Sequence, residues 1–266
     1  MKKMMYCSTR IAIVASILFL INLQLFASET DDRIESSAKQ SYVFKTYLKG
    51  DDIKIQSKDG VVTLTGTVSE ESHKPLARET VASLPGVKSV DNKLELKGEV
   101  PAEHSDAWLI ARVKSTLYFH RNVSATGTEV FAKDGNITLR GEVTSKAQKD
   151  LTTEYAKDVE GVKDVKNEMK LSDTAMKSGE KTMGQKMGEK MDTMMESIDD
   201  ASITGLVKTT LLYHRSTSGL KTAVETKEGV VTLSGKAKNA AEKDLATKFV
   251  VDVYGVKRVV NNMTVQ

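Results

Sequence analysis

One folding unit is repeated three times along this chain of 266 residues. Each copy contains a lysine, an acidic residue and a glycine followed by alternating apolar positions, and later a glycine–valine–lysine phrase. The first phrase stands at 58–66, 133–141 and 227–235, and the second at 86–88, 161–163 and 255–257. Two phrases kept in one register indicate a duplicated supersecondary unit. The repetition therefore predicts three small modules and disfavours one large catalytic pocket.

The second unit has the clearest pattern of secondary structure. Apolar residues over 109–117 recur every four positions on one face of a helix, for which Asp106 is the expected cap. An Asp-Gly pair then predicts a tight hairpin between two strands. Ser145 and Gln148 form a capping box before a second helix, and residues 162–171 read as a last strand.

The order helix, strand, strand, helix, strand is common to all three units, although the first helix of unit one is weak and rich in Ser and Lys. We predict an α+β fold in which each module packs two helices on a three-stranded sheet. The predicted modules span residues 30–97, 105–171 and 199–266.

Residues 172–198 form a linker rich in Met, Lys and Gly. Its methionines fall on one side if the segment is helical, but three glycines weaken that helix by about 1 kcal/mol each. A marginal helix or a flexible tether is the first interpretation. A soft-metal site, for instance for Cu(I), and an adaptable surface for a partner are the alternatives.

Residues 1–27 have the layout of a secretory signal peptide: Lys2, Lys3 and Arg10, then an apolar run, then a small residue before an acidic stretch. A cleaved signal predicts a periplasmic protein, and an uncleaved N-terminal membrane anchor is the alternative. Cys7 is the only cysteine, so the mature chain would have no disulfide. Loss of the three basic residues takes the net charge from +3 to zero, which argues against nucleic-acid binding.

The repeated hairpin phrase, the following Leu-x-Gly and the later Gly-Val-x-x-Val resemble the BON domain family. The resemblance covers nearly all of the mature chain except the linker. It implies attachment to phospholipid membranes or envelope components, as in osmotically induced periplasmic proteins, and it implies no reaction. The nine glycines of the motif have structural roles in turns and close approaches: Gly60, Gly66, Gly86, Gly135, Gly141, Gly161, Gly229, Gly235 and Gly255.

No residue pattern indicates chemistry. The Asp-Gly turn joins two strands rather than opening a helix, unlike a phosphate-binding loop. The four histidines have no metal-ligand spacing, and no nucleophile motif is present. His120 and His214 are equivalent positions in separate modules, so they form one site only if the modules dock. We therefore expect no enzyme activity, cofactor, metal or small-molecule substrate.

Aromatic and basic residues stand together where two first helices end. Such clusters suit the headgroup boundary of a membrane, and the alternative is that the aromatics are core and the cations cap the helices. The candidate lipid- or partner-binding residues are Trp108, Tyr118, Phe119, His120, Arg121, Tyr213, His214 and Arg215. We expect an exported, non-enzymatic protein that associates with phospholipid surfaces in osmotic or envelope stress; the alternative is a periplasmic protein–protein adaptor.

Overall fold

The computed structural model describes residues 29–172, 198–217 and 222–266. The predicted signal peptide and nearly all of the methionine-rich linker lie outside these residues. Module 1 contains α1 (29–40), α2 (Tyr42–Thr46), β1 (Asp52–Lys58), β2 (Val61–Val68), α3 (His73–Ala82) and β3 (Ser89–Leu96).

Module 2 contains α4 (Asp106–Tyr118), β4 (Thr128–Lys133), β5 (Asn136–Val143), α5 (Lys146–Lys157), β6 (Asp164–Asn167) and β7 (Lys170–Leu171). Module 3 contains α6 (Asp200–Tyr213), β8 (Thr222–Lys227), β9 (Val230–Ala237), α7 (Ala240–Val251), β10 (Arg258–Asn261) and β11 (Thr264–Val265).

Each module has its own sheet, built around the second strand of its hairpin. In module 1, β2 runs antiparallel to β1 and parallel to β3, so the crossover passes through α3. Modules 2 and 3 repeat this arrangement around β5 and β9. The predicted α+β fold of three repeated modules is confirmed. The weak first helix of module 1 does form, with Ile34 and Ala38 buried, and it breaks at Ser41 before α2.

The hairpins follow from their turn residues. Asp134 and Gly135 have φ of 53° and 84°, as both central residues of a type I′ turn require. Gly141, in the middle of β5, meets a different constraint: an added Cβ would lie 2.0 Å from the carbonyl oxygen of Gly127. A side chain at this position is therefore excluded by the backbone immediately before β4.

An aspartate in the first turn of each module's first helix binds the hairpin of its own module. Ser105, not Asp106, is the N-cap of α4, because its hydroxyl accepts from Trp108 N. The Asp106 carboxylate instead accepts from the hairpin amides of Asp134 (3.2 Å) and Gly135 (3.4 Å). Asp31 and Asp200 bind their own turns in the same way. Asp106, which was predicted to cap α4, therefore joins the helix to the hairpin of the same module instead.

The third strand is divided in modules 2 and 3. Asn167 ends β6, where its side chain donates to the carbonyl of Lys149 on α5 (3.0 Å) and accepts from Met169 N (2.9 Å). Asn261 makes the equivalent bonds to Lys243 and Met263. The single strand predicted over 162–171 is thus two short strands, separated where an asparagine ties the sheet to its helix.

The three modules are packed against one another. Modules 1 and 3 share one continuous hydrophobic core, and module 2 has a second core that also takes in Phe249 from α7. Gly205 on α6 lies so close to α3 that an added Cβ would be 2.2 Å from Thr80 Oγ1. Asp199 accepts from Tyr42 N at 2.8 Å, which further joins modules 1 and 3.

No helix among the described residues is both long enough and apolar enough to cross a lipid bilayer.

Candidate functional site

The ends of four helices meet between modules 2 and 3. We call this region the seam: residues 119–122 after α4, 155–159 at the end of α5, 213–216 after α6, and 249–253 at the end of α7. Each helix end of one module meets the opposite helix end of the other. Residues of module 3 stand 94 positions after their equivalents in module 2. Since equivalent residues exchange reciprocal contacts, the seam has the self-complementary form of a twofold interface within one chain.

Backbone pairing forms the frame of the seam. His120 bridges Val253, and His214 bridges Val159, in two isolated antiparallel bridges. Arg121 N donates to Asp252 O and Arg215 N donates to Asp158 O, both at 2.9 Å. The reciprocal pairing satisfies backbone groups at the helix ends, where intrahelical partners are missing.

A histidine pair lies at the centre. His120 and His214 are 0% and 1% exposed, and their Nε2 atoms lie 3.0 Å apart. His214 Nδ1 lies 3.0 Å from Asp158 Oδ2, so this nitrogen carries the donated proton and the His214 Nε2 accepts. His120 then donates from Nε2. Its Nδ1 has no hydrogen-bond partner and lies 3.4 Å from Asp252 Oδ2.

Two buried carboxylates, Asp158 and Asp252, complete the seam. The Oδ2 of Asp252 accepts from the Tyr155 hydroxyl at 2.7 Å, and Oδ1 accepts from Asn122. Asp158 accepts from the Ser216 hydroxyl and faces Arg215, whose Nε is 3.7 Å away. Each carboxylate is therefore held by side chains of the other module.

Equivalent residues also meet directly across the axis. Tyr155 and Phe249 correspond in the two modules, and their ring centroids are 5.7 Å apart. The His214 ring stacks on Phe249 with centroids 3.8 Å apart. At the rim, Glu154 of module 2 forms an ion pair with its equivalent, Lys248 of module 3. Opposite charges at one repeat position favour pairing of unlike modules.

Burial controls the protonation of the seam. It lowers the pKa of His120 to about 4, a shift to which the His214 ring adds and which Asp252 opposes. Burial also lowers the pKa of His214, against the opposing effect of Asp158. For Asp158, burial raises the pKa, but hydrogen bonds from His214 and Ser216 outweigh it and the net pKa is below its ordinary value. The neutral histidines and the ionised Asp158 are thus mutually consistent.

A second cluster of aromatic residues lies where all three modules meet. Tyr47 of module 1 packs edge-on against Tyr118 of module 2 at 5.1 Å, and against Tyr42 at 6.1 Å. Tyr254 of module 3 lies close enough that Tyr42 and Tyr118 both raise its pKa, after burial as the largest cause. We call these four residues the tyrosine junction. Tyr118 is its exposed member, at 38%.

The predicted site residues divide into two groups. Phe119, His120, Tyr213 and His214 are buried, and their partners are groups of neighbouring modules. The side chains of Arg121 and Arg215 are 28% and 51% exposed beside the seam. Trp108 is half-buried. The Arg112 guanidinium lies 4.9 Å from the Trp108 ring and 4.2 Å from that of Tyr213.

Sequence reasoning missed the residues that bring the two histidines together. Asp158 and Asp252 are separated by the same 94 positions as the histidines, so the signal was present in the repeat alignment. What the alignment lacked was evidence that the two modules dock. Within the described ranges, no group of three or more His, Cys, Asp or Glu residues is placed to hold a metal ion.

The sequence is similar to three known bacterial proteins. Osmotically-inducible protein Y of Escherichia coli (strain K12) is 32% identical over 144 residues, 53% of this chain and 72% of that protein. Outer membrane lipoprotein DolP of Haemophilus influenzae is 31% identical over 111 residues, 41% of this chain and 57% of that protein. A 21 kDa hemolysin of Actinobacillus pleuropneumoniae is 29% identical over 115 residues, 42% of this chain and 59% of that protein.

The chain thus spans less than two thirds of the second and third of these relatives, and 72% of the first. Their names place them in osmotic response and at the outer membrane. The BON domain family model matches three times, at residues 30–98, 105–173 and 199–266, which together make up most of the chain. With three repeats of one α+β module and three matches in register, this chain belongs to the BON domain family.

Proposed function

We propose that this is an exported, non-enzymatic protein of the cell envelope whose tandem modules associate with phospholipid surfaces during osmotic or envelope stress. The proposal includes a cleaved signal at 1–27 that exports the protein to the periplasm, modules at 30–97, 105–171 and 199–266, and a linker at 172–198. Its support is the family, and relatives whose names refer to osmotic induction and to the outer membrane.

The tyrosine junction is the observation that supports a lipid-binding surface. A tyrosine is apolar along its ring and polar at its tip, so it suits the boundary between headgroups and acyl chains. Three modules contribute to this one patch, and Tyr118 and Tyr254 are partly exposed within it. Arg121, three residues after Tyr118 in the sequence, is a partly exposed cation whose side chain is 28% exposed. The neutral mature chain makes such a local patch necessary.

Vesicle flotation tests the proposal with a matched control. Tyr118→Ser removes the exposed ring of the junction, and Phe131→Ser removes a similarly exposed ring (45%) from the sheet face of the same module. Loss of a ring that contributes about 1 kcal/mol should lower the partition constant onto vesicles roughly fivefold. We expect that loss for Tyr118→Ser and little change for Phe131→Ser.

The experiment uses vesicles of phosphatidylethanolamine with and without phosphatidylglycerol, and it also follows Trp108 fluorescence. A blue shift on binding is the expected result for a half-buried indole near the surface. Equal loss for both variants would reject the tyrosine junction as the lipid surface. Absence of binding to either vesicle, with capture of envelope proteins instead, would favour the adaptor function.

A further inference from the structure

The seam between modules 2 and 3 depends on two histidines staying neutral. In the neutral pair, one proton lies on His214 Nδ1 toward Asp158 and one on His120 Nε2 toward the His214 Nε2. With these two protons, both hydrogen bonds of the pair have one donor and one acceptor. The position still open to a proton is His120 Nδ1, which faces Asp252 Oδ2 at 3.4 Å.

A first added proton fits the seam, but a second does not. Protonation of His120 at Nδ1 would form a charged hydrogen bond with Asp252 and leave the central contact intact. Protonation of His214 at Nε2 would then place two N–H donors against each other across 3.0 Å. Two like charges would also face each other in a site that excludes water, where their repulsion is poorly screened. The doubly protonated pair is incompatible with the docked arrangement.

We propose that the seam is a proton-sensitive interface: protonation of both His120 and His214 separates module 2 from module 3 and exposes the aromatic surface buried between them. That surface consists of the aromatic rings of Tyr155 and Phe249 and the valines beside them, Val159 and Val253, each 1% exposed or less. Module 3 stays on module 1 after opening, because α6 remains packed on α3 at Gly205. The opening therefore leaves modules 1 and 3 packed together, whereas the contact of Tyr118 in module 2 with Tyr47 in module 1 opens along with the seam.

The charged groups around the histidine pair allow both its neutral and its protonated state. Acidic and basic groups are nearly balanced, so neither charge state of the histidines is imposed by an excess of one sign. The groups that face the pair from the four helix ends are Glu154, Tyr155, Asp158, Arg121, Arg215, Lys248 and Asp252. An open cleft of about 160 Å³ is lined by Lys157, Asp158 and Arg215, so solvent comes as close to the pair as Asp158, the hydrogen-bond partner of His214.

The direction of the pH dependence follows from the pKa values. Both histidines have a pKa below 6.5 when docked, about 4 for His120, and an ordinary pKa near 6.5 when exposed. Between about pH 4 and 6.5 the open state binds more protons than the docked state. Docking is therefore at full strength above about pH 6.5 and is lost as the pH falls through this window.

Hydrogen exchange of two backbone amides measures the seam directly in the intact protein. The amides of Arg121 and Arg215 donate across the seam, whereas those of Lys163 and Lys257 donate to Gly135 and Gly229 inside modules 2 and 3. After correction for intrinsic exchange, protection at the two seam amides should fall as the pH is lowered below 6.5. A two-proton opening gives a slope that approaches about 100-fold per pH unit. The two amides inside the modules should keep their protection.

Two variants separate this proposal from general acid sensitivity. In His120→Gln the amide nitrogen can still donate to His214 Nε2 but takes up no proton, so the slope should fall to about tenfold per pH unit. His73→Gln is the matched control, since His73 is a mostly buried histidine paired with Asp51 at 2.6 Å in module 1. It should leave the seam slope unchanged.

The proposal is overturned if seam protection does not depend on pH between 4.5 and 6.5, or if the seam amides lose protection together with those inside the modules. If His120→Gln fails to fold, the two slopes in the unmodified protein still decide the outcome. A slope of tenfold or less per pH unit in that protein would exclude a two-proton opening.

Discussion

Substitution of Gly205 by alanine tests whether modules 1 and 3 are packed helix against helix. At an open helical position this change stabilises a protein by about 1 kcal/mol, because alanine is the better helix former. At Gly205 the new Cβ would lie 2.2 Å from Thr80 Oγ1 and 3.0 Å from the Thr80 Cα and N atoms. Rotation of the threonine relieves the first contact but not the contacts with its backbone.

The packing effect should therefore outweigh the helix preference. Forcing an extra methyl group into a close-packed contact costs about 1–3 kcal/mol, which leaves a net destabilisation of roughly 0–2 kcal/mol after the helix gain. Gly205→Leu should cost more still, although leucine is also a good helix former. Urea unfolding followed by far-ultraviolet circular dichroism gives these free energies from the midpoints.

Gly50 supplies the control. An added Cβ there meets nothing within 4 Å, and the residue lies outside the left-handed region. Gly50→Ala should stabilise the protein by about 0.4–1 kcal/mol through the unfolded chain. If Gly205→Ala also raised the free energy of unfolding by about 1 kcal/mol, α6 would not be in close contact with α3, and the docking of modules 1 and 3 would be refuted.

Two further substitutions probe single carboxylates. Asp31→Ala removes the acceptor of the Asp59 and Gly60 amides (2.7 and 2.9 Å), so hydrogen exchange at these two amides should become faster. Asp32→Ala, at the exposed neighbouring residue, should leave their exchange unchanged. Since hydrogen bonds from Ser57 and Gly60 lower the pKa of Asp31, the wild-type turn should lose this support only as the pH falls below about 3.8. Tyr155→Phe removes the hydroxyl that donates to Asp252 at 2.7 Å. Protection of the Arg121 amide against hydrogen exchange should then fall roughly tenfold or more. Unchanged protection would mean that this hydrogen bond does not hold the seam together.

Local patterns predicted the modules because their causes are local. The Asp-Gly turns fix the hairpins through positive φ. Ser145 caps its helix as expected by accepting from Gln148 N, but the Gln148 side chain accepts from Thr144 N, one residue before the N-cap, so the second bond of the capping box is displaced. The break at Asn167 was not visible, because the asparagine acts through a helix that lies 18 residues away in sequence.

The docking of the modules could not be derived in the same way. It depends on differences between copies of one unit, such as Glu154 against Lys248 and Tyr155 against Phe249. A repeat alignment shows these differences but does not show which copies pair. The aromatic and basic helix ends were found from the sequence, but their burial was not, because a surface cluster and an interface cluster have the same composition. As a lipid site they remain a prediction.

Zero-length carbodiimide crosslinking of the unmodified protein, with the linked peptides identified by mass spectrometry, tests most directly whether the three modules form one docked body. A docked chain should yield intramolecular links between Glu154 and Lys248 across the seam, and between Glu79 and Lys208, whose charged atoms lie 3.1 Å apart between modules 1 and 3. The pair Lys74 and Glu71, 3.2 Å apart inside module 1, is the positive control. Links at the control pair with none at either pair between modules would contradict the docked arrangement.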